Sequence, residues 1–278
     1  MKVRLAVLFA ALGILAFLAL LPLLYMVSTA LKTFGETITR ISPNPLSLEF
    51  WPRIPQWANF AAAWSYGEGL AHSFFVSVVV ASVTVLGVLA TTIPAAYAFA
   101  KIPFRGREFF FGVFLTTLMV PETVSTLANF MTITRLGWIN SLQGLTVPFF
   151  ASSFFIFFLR QYFRQIPETI LEAAQIDGAT TFQVTLRIAV PAARAPIFTV
   201  AFLAFTGSWN SLMWPLMATN TLDWRPLAVG LTKFVTEAGP QAHLSMAAST
   251  MALAPIVLIY IIAQKQITDS VTRSGIVG

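Results

Sequence analysis

Along this chain apolar residues come in long runs, and the polar positions gather in the gaps between them. A helix crossing the hydrocarbon core of a bilayer needs about 20 mainly apolar residues, because each backbone N–H and C=O must find its partner inside the segment. Six stretches satisfy this, at about residues 5–31, 70–100, 109–130, 143–163, 195–218 and 244–264. The pattern predicts an all-α transmembrane fold of six spanning helices. Pro94 and Pro215 inside the second and fifth runs, and Pro255 inside the sixth, predict kinks or displaced helix ends. The first run follows Lys2 and Arg4 and contains Ser28-x-Ala30, as a signal peptide would. A signal h-region covers only about 7 to 15 residues, so a retained anchor is expected instead.

Charge then sets the orientation. With the N-terminus inside, eleven Lys and Arg fall in cytoplasmic segments and six outside, together the 17 of the sequence. The positive-inside rule therefore predicts that both termini are cytoplasmic. The densest basic patch, "KIPFRGRE" at 101–108, is expected only to anchor at lipid headgroups. Only 10% of residues are charged, against about 25% in soluble domains. The formal charge of +6 comes without basic clusters interleaved with exposed aromatics, which argues against nucleic acid as a partner. The absence of cysteine excludes disulfides, thiol chemistry and Cys-ligated zinc.

One polar gap stands apart, "EAAQIDGATTFQVTLRIAVP" at 172–191, in the cytoplasm between spans four and five. Pro167 suits a first helical position, and Glu168 and Glu172 place negative charge where the helix dipole favours it. Asp177 and Gly178 should end this helix, since glycine accepts the left-handed conformation of a helix C-terminus. Thr180 and Gln183 have the spacing of a capping box for a second helix running toward Pro191. Ile170, Ala173, Ala174 and Asp177 share one side of the first helix, with two alanines where a bulky stripe would be expected. Small residues with a few apolar anchors suit insertion into a protein groove. An interfacial helix would instead show large apolar residues opposite Lys and Arg. Between Glu168 and Gln175 only Ile170 and Leu171 are large, and neither Lys nor Arg occurs.

The run Glu172-Ala173-Ala174, three residues, Gly178, nine residues, then Ile188-x-Val190-Pro191 closely resembles the EAA signature of ABC importer membrane subunits. That pattern ends in I-x-L-P, so Val190 departs from it while remaining apolar. "PETILEAAQIDGATTFQ", "TGSWNSLMWPL" at 206–216 and "MAASTMALAPIVLIY" at 246–260 are similar to the carbohydrate-importing branch, in particular to the second membrane subunit of maltose-type systems. The tail from Gly275 to Gly278 is also similar, but lacks the lysine often found before the final glycine. The resemblance implies a permease subunit of an ATP-driven, binding-protein-dependent sugar importer in a bacterial or archaeal plasma membrane. It implies an N-terminal span and outer loop at 1–69, a permease core at 70–264 with a coupling loop at about 164–194, and a cytoplasmic tail at 265–278. It further implies a second membrane subunit that is a different chain, two ATPase subunits and an external sugar-binding protein. Ile170, Glu172, Ala173, Ala174, Asp177, Gly178, Thr180 and Pro191 would couple to the ATPase. No stretch matches G-x-x-x-x-G-K-[ST], so no cofactor is expected in this chain, and ATP and Mg would be bound by the partner ATPases.

Other polar residues in the spans have two readings each. Trp209 and Trp214 could stack on a sugar and Asn210 could bond a hydroxyl, or all three could be packing residues. Glu122, in the third span, stands about 20 Å in from Phe109 if the helix is straight, which favours an interhelical contact or a site near the outer mouth. Ser73, Ser77 and Ala81, and Ser245 and Ser249, suit close helix packing or a sugar path. His72 and His243 read as interfacial residues, without metal-ligand spacing around them. The segment 33–69 is expected to cap the outer face. In the outer loop at 220–241, Thr236, Glu237, Ala238, Gly239, Pro240 and Gln241 are expected to touch the binding protein, by resemblance to maltose-type systems. The alternatives are an ion-driven secondary carrier, which would want paired intramembrane carboxylates or inverted repeats, and a permease for another small solute such as glycerol phosphate. A membrane enzyme is disfavoured because no G-x-S-x-G, H-E-x-x-H or intraspan aspartate pair occurs; no catalytic and no metal residue is expected.

Overall fold

The computed structural model describes residues 2–39, 44–66, 69–236 and 241–274, and among them the regular structure is entirely helical. Three helices are long and apolar enough to cross a membrane, at Val7–Ala30, Leu70–Lys101 and Ala242–Gln264. Three bent pairs raise the number to as many as six if each pair is one span: Arg107–Met119 with Thr123–Arg135 at 99°, Leu142–Phe149 with Ser153–Arg164 at 48°, and Thr181–Ala192 with Arg194–Trp209 at 85°.

The chain divides into two compact units. The first holds residues 1–74 and 229–255. Within it α1 (Lys2–Ala30) ends against the loop that follows α2 (Phe34–Thr39) and leads to α3 (Ala58–Trp64). The last carbonyls of a helix have no intrahelical donor. Here Asn59 Nδ2 donates to the carbonyls of Ala30 and Lys32, both at 2.8 Å, and the Gln56 N–H donates to Leu31 O at 2.9 Å. Lys32 is buried and donates to Glu49 O at 2.7 Å, and Ser28 donates to the carbonyl of the buried Phe50. The long apolar run of α1, within Val7–Ala30, buries little against the rest of its unit. A helix that is hydrophobic all round demands lipid or a partner helix.

The second unit, residues 75–228 and 256–278, carries most of α4 (Leu70–Lys101) and the broken spans. α5 (Arg107–Thr116) and α6 (Glu122–Arg135) meet at Val120 and Pro121, so the straight third span expected at 109–130 is corrected. Pro121 has no N–H to continue the ladder. The straight-helix depth of Glu122 falls with it: Glu122 opens α6, and its side chain lies outside the described residues. α7 (Leu142–Thr146) leads through a 3-10 turn to α8 (Ser153–Arg164), dividing the fourth span. After α9 (Glu168–Ile176), α10 (Thr181–Val184) continues through a π turn over 185–189 into α11 (Val190–Ala192). α12 (Arg194–Trp209) stops short of α13 (Met213–Ala218), so the fifth span expected at 195–218 is also interrupted. The break falls at 210–212, ahead of Pro215. α14 (Leu227–Thr236) precedes α15 (Ala242–Ser274), which runs on ten residues past Gln264. α4 and α15 stay helical through Pro94 and Pro255, and the end of α15 lies beyond the expected 264.

Non-helical backbone at membrane depth is tolerated only where its polar groups find partners or line a cavity. The break before α8 shows both devices. Thr91 on α4 donates its hydroxyl to the carbonyl of Phe150, and the Ser152 side chain accepts from the Phe155 N–H at 3.4 Å as the α8 N-cap. Gly87 lets that break approach α4, because a Cβ there would stand 2.2 Å from the Phe150 ring. One apolar cluster joins α4, α8, α9, α10 and α12 through Val88, Tyr97, Leu159, Phe163, Leu171, Val184 and Val200. A second surrounds Val76, Val80, Ile133, Leu145 and Trp214.

Candidate functional site

The polar segment folds as two short helices with a designed corner. α9 ends in a Schellman arrangement: the Gly178 N–H donates to Gln175 O and the Ala179 N–H to Ala174 O, each at 3.0 Å, with Gly178 at φ +85°. The capping box is formed. Gln183 N donates to Thr180 Oγ1 at 3.3 Å and Thr180 N to Gln183 Oε1 at 2.9 Å. Pro167 is the residue before α9 rather than its first residue.

The faces of α9 divide the labour. Leu171 is 5% exposed and keys into the core beside Val184 and Phe163, with Ala174 half-buried above it. Ile170, Glu172, Ala173, Asp177, Gly178 and Thr180 are exposed. Pro191, also exposed, shares with Ile170 an indentation of about 480 Å³ that Tyr162 and Arg194 help to line. The structure thus leaves Ile170, Glu172, Ala173, Asp177, Gly178 and Thr180 accessible, turns Leu171 and Ala174 toward the core, and joins Ile170 to Pro191.

Two cations to which the sequence reading gave no part in this surface tie it down. Lys101, at the end of α4, is not a headgroup anchor: its Nζ donates to Ile166 O at 2.6 Å and Arg164 O at 3.3 Å, and stands 4.0 Å from Glu168 Oε1. It caps the carbonyls that α8 leaves unpaired, immediately before α9. Arg160 on α8 is 3% exposed and donates to Phe99 O at 3.0 Å and Glu108 Oε1 at 2.6 Å, with its guanidinium 3.9 Å above the Phe111 ring. The two cations thus bridge α4, α5 and α8 and the turn that leads into α9. Nothing in the sequence distinguishes these two cations from those that face lipid headgroups.

A second feature lies in the same unit. A cavity of about 360 Å³ is bordered by α4, α12 and the breaks before α8 and α13. Its wall carries the hydroxyls of Ser77, Thr84, Ser152, Ser208 and Ser211, together with Trp214 and Phe149, and no charged residue. Trp214 donates its indole N–H to Gly144 O at 3.0 Å and packs edge-on to Phe149, so it offers the cavity apolar surface rather than a donor. Trp209 is buried and stacks on Phe205 with centroids 5.4 Å apart, and Asn210 is exposed at the end of α12; neither lines the cavity. Of the residues expected to meet the binding protein, Glu237, Ala238, Gly239 and Pro240 lie outside the described residues, as does the Thr236 side chain, and Gln241 is half-buried before α15. His243 packs edge-on to Phe34, and among the described residues no group of three or more potential metal ligands occurs.

Comparison with known proteins agrees with this architecture. The family profile described as "Binding-protein-dependent transport system inner membrane component" matches residues 84–273. The arabinooligosaccharides transport system permease protein AraQ of Halalkalibacterium halodurans is 30% identical over 270 residues, 95% of this chain and 93% of that protein. The sn-glycerol-3-phosphate transport system permease protein UgpE of Yersinia enterocolitica is 27% identical over 259 residues, 91% of this chain and 92% of that protein. A crystal structure of a bacterial ABC transporter involved in the import of the acidic polysaccharide alginate contains a chain of the same fold, with a TM-score of 0.81 at 22% identity, covering 95% of this chain and 96% of that one.

Proposed function

The chain belongs to the family of binding-protein-dependent transport system inner membrane components, and from that premise we propose how it works. It is a multi-pass inner-membrane permease subunit of an ATP-driven sugar importer. The family reading displaces the ion-driven carrier, and the subunit belongs to a transport machine rather than to a hydrolase.

The bent pairs count as single spans, giving six, with both termini cytoplasmic. The chain forms half of the translocation path beside a different membrane subunit. Two ATPase subunits bind ATP and Mg, and an external binding protein delivers sugar near Thr236 to Gln241. α9 and the helix after it form the coupling segment. The observation that carries this is the division of α9 into an exposed surface, with Glu172 and Ala173 beside the apolar Ile170 and Ile176, and a buried Leu171 keyed to α4 and α8. A partner gripping the exposed face would move the helices beneath, because Leu171 and the Lys101 cap tie the segment to them. Closure of the ATPase dimer would thereby switch a bistable packing between outward- and inward-open forms.

A glycerol phosphate permease is the second reading, supported by the UgpE relative. The uncharged cavity wall favours a neutral solute, since a phosphate would need a cation or a cradle of N–H donors. The test is Gly178→Asp in the reconstituted importer at matched expression. Transport-coupled ATPase and uptake are expected to fall about tenfold or more, within the usual allosteric coupling of about 1–3 kcal/mol. Normal uptake with normal coupled ATPase would refute the coupling role.

A further inference from the structure

We propose that the cavity between α4, α12 and the breaks before α8 and α13 binds one ring of the transported sugar inside this subunit. The inference rests on the sugar-importer reading and deepens it. A volume of about 360 Å³ is at the lower end of the range of ligand pockets, about 300–1,000 Å³, which suits a single ring rather than an oligosaccharide. The wall combines five hydroxyls with the apolar surfaces of Trp214 and Phe149 and carries no ion. That combination matches a neutral ring, whose edge is hydroxyls and whose faces are C–H.

The hydroxyls have capacity left. Ser77 accepts from the Leu227 N–H at 2.7 Å and Ser152 from the Phe155 N–H at 3.4 Å, and each hydroxyl still has its own proton to donate. Thr84 is 5% exposed and its Oγ1 has no hydrogen-bond partner. A threonine on a helix ordinarily relieves this by bonding a carbonyl three or four residues back, as Thr91 does to Gly87 O at 3.1 Å. Its oxygen is closed to water, as is that of Thr92 on the same helix away from the cavity, so Thr84 would have to turn its side chain before it could pair with a ligand. Two helix breaks on the same wall add to the case, because irregular backbone at membrane depth belongs where a polar cavity is lined.

The absence of native cysteine allows a direct test. The full importer, its other subunits free of accessible cysteine, is reconstituted with its binding protein, and the sugar it takes up is chosen from arabinotriose, maltotriose and cellotriose. Ser208→Cys is then labelled with a small thiol reagent during turnover, with Ser82→Cys as control, since Ser82 lies on a separate groove with Phe198 and Ile259. Sugar at about ten times its half-saturating level should slow labelling at 208 about tenfold and leave 82 unchanged. Thr84→Val should raise the half-saturating sugar concentration about 2- to 12-fold without lowering the Tm, because the hydroxyl it removes supports nothing in the protein. Equal labelling at 208 with and without sugar in an importer that still transports would overturn the inference, as would a Thr84→Val variant that transports normally. Protection by glycerol 3-phosphate in place of sugar would overturn the ligand class. An assembly that takes up none of the three sugars would sink the sugar reading itself, and the inference with it.

Discussion

Gly178 and Gly87 are both required, for opposite reasons. At Gly178 the backbone stands at φ +85° with nothing within 4 Å of where a Cβ would be, so the constraint is conformational. A left-handed residue other than glycine, asparagine or aspartate costs about 1–2 kcal/mol, so the loss expected of Gly178→Asp comes from its charge and bulk at the docking surface rather than from the turn. Gly178→Asn should therefore retain most transport, and Gly178→Val should lose it at equal expression, measured as sugar uptake in proteoliposomes. If the asparagine variant fails as badly, the glycine serves close docking of a partner rather than the turn. At Gly87 the constraint is space, because the Phe150 ring occupies the position of a side chain. Gly87→Leu should lower the Tm of the purified subunit by the equivalent of about 1–3 kcal/mol, the usual cost of overpacking.

At the scale of elements, α9 is held by one apolar key and one cation. Leu171→Ala should destabilise the segment by about 2–5 kcal/mol, seen as earlier proteolysis between 165 and 194. Lys101→Met removes a charge-assisted cap from buried carbonyls and should cost about 1.5–3 kcal/mol. Glu168→Gln should cost about 0–1 kcal/mol, since that carboxylate is 78% exposed at 4.0 Å from the amine. Near-equal effects of the last two on the Tm would count against the cap. These contacts also mark the limit of what the sequence discloses. Asp177, Gly178, Thr180 and Gln183 act through neighbours within the same turn, so their roles were legible from spacing. Lys101 and Arg160 act on backbone and side chains far along the chain, and no local pattern separates them from lipid-facing cations. The long apolar runs announced the spans, yet hydropathy is blind to where a run bends: the break at Ala151 leans on Thr91 and Ser152, and the residues after it and after Asn210 line the cavity.

The whole molecule is a set of apolar helices with one polar handle. α1, α4 and α15 carry exposed apolar side chains, Phe9, Phe75 and Ile262 among them. In the proposed function this handle is where an ATPase would act on them. The most direct measurement places a single cysteine at Ala173, which is exposed and lies on the proposed coupling face, in this otherwise cysteine-free chain. A thiol-directed photo-crosslinker is attached in inverted membrane vesicles containing the full importer. The account predicts an adduct between Ala173→Cys and the ATPase subunit, with no reaction of that site toward an impermeant maleimide added to intact cells. Labelling of the site from outside the cell, without any ATPase adduct in inverted vesicles, would contradict it.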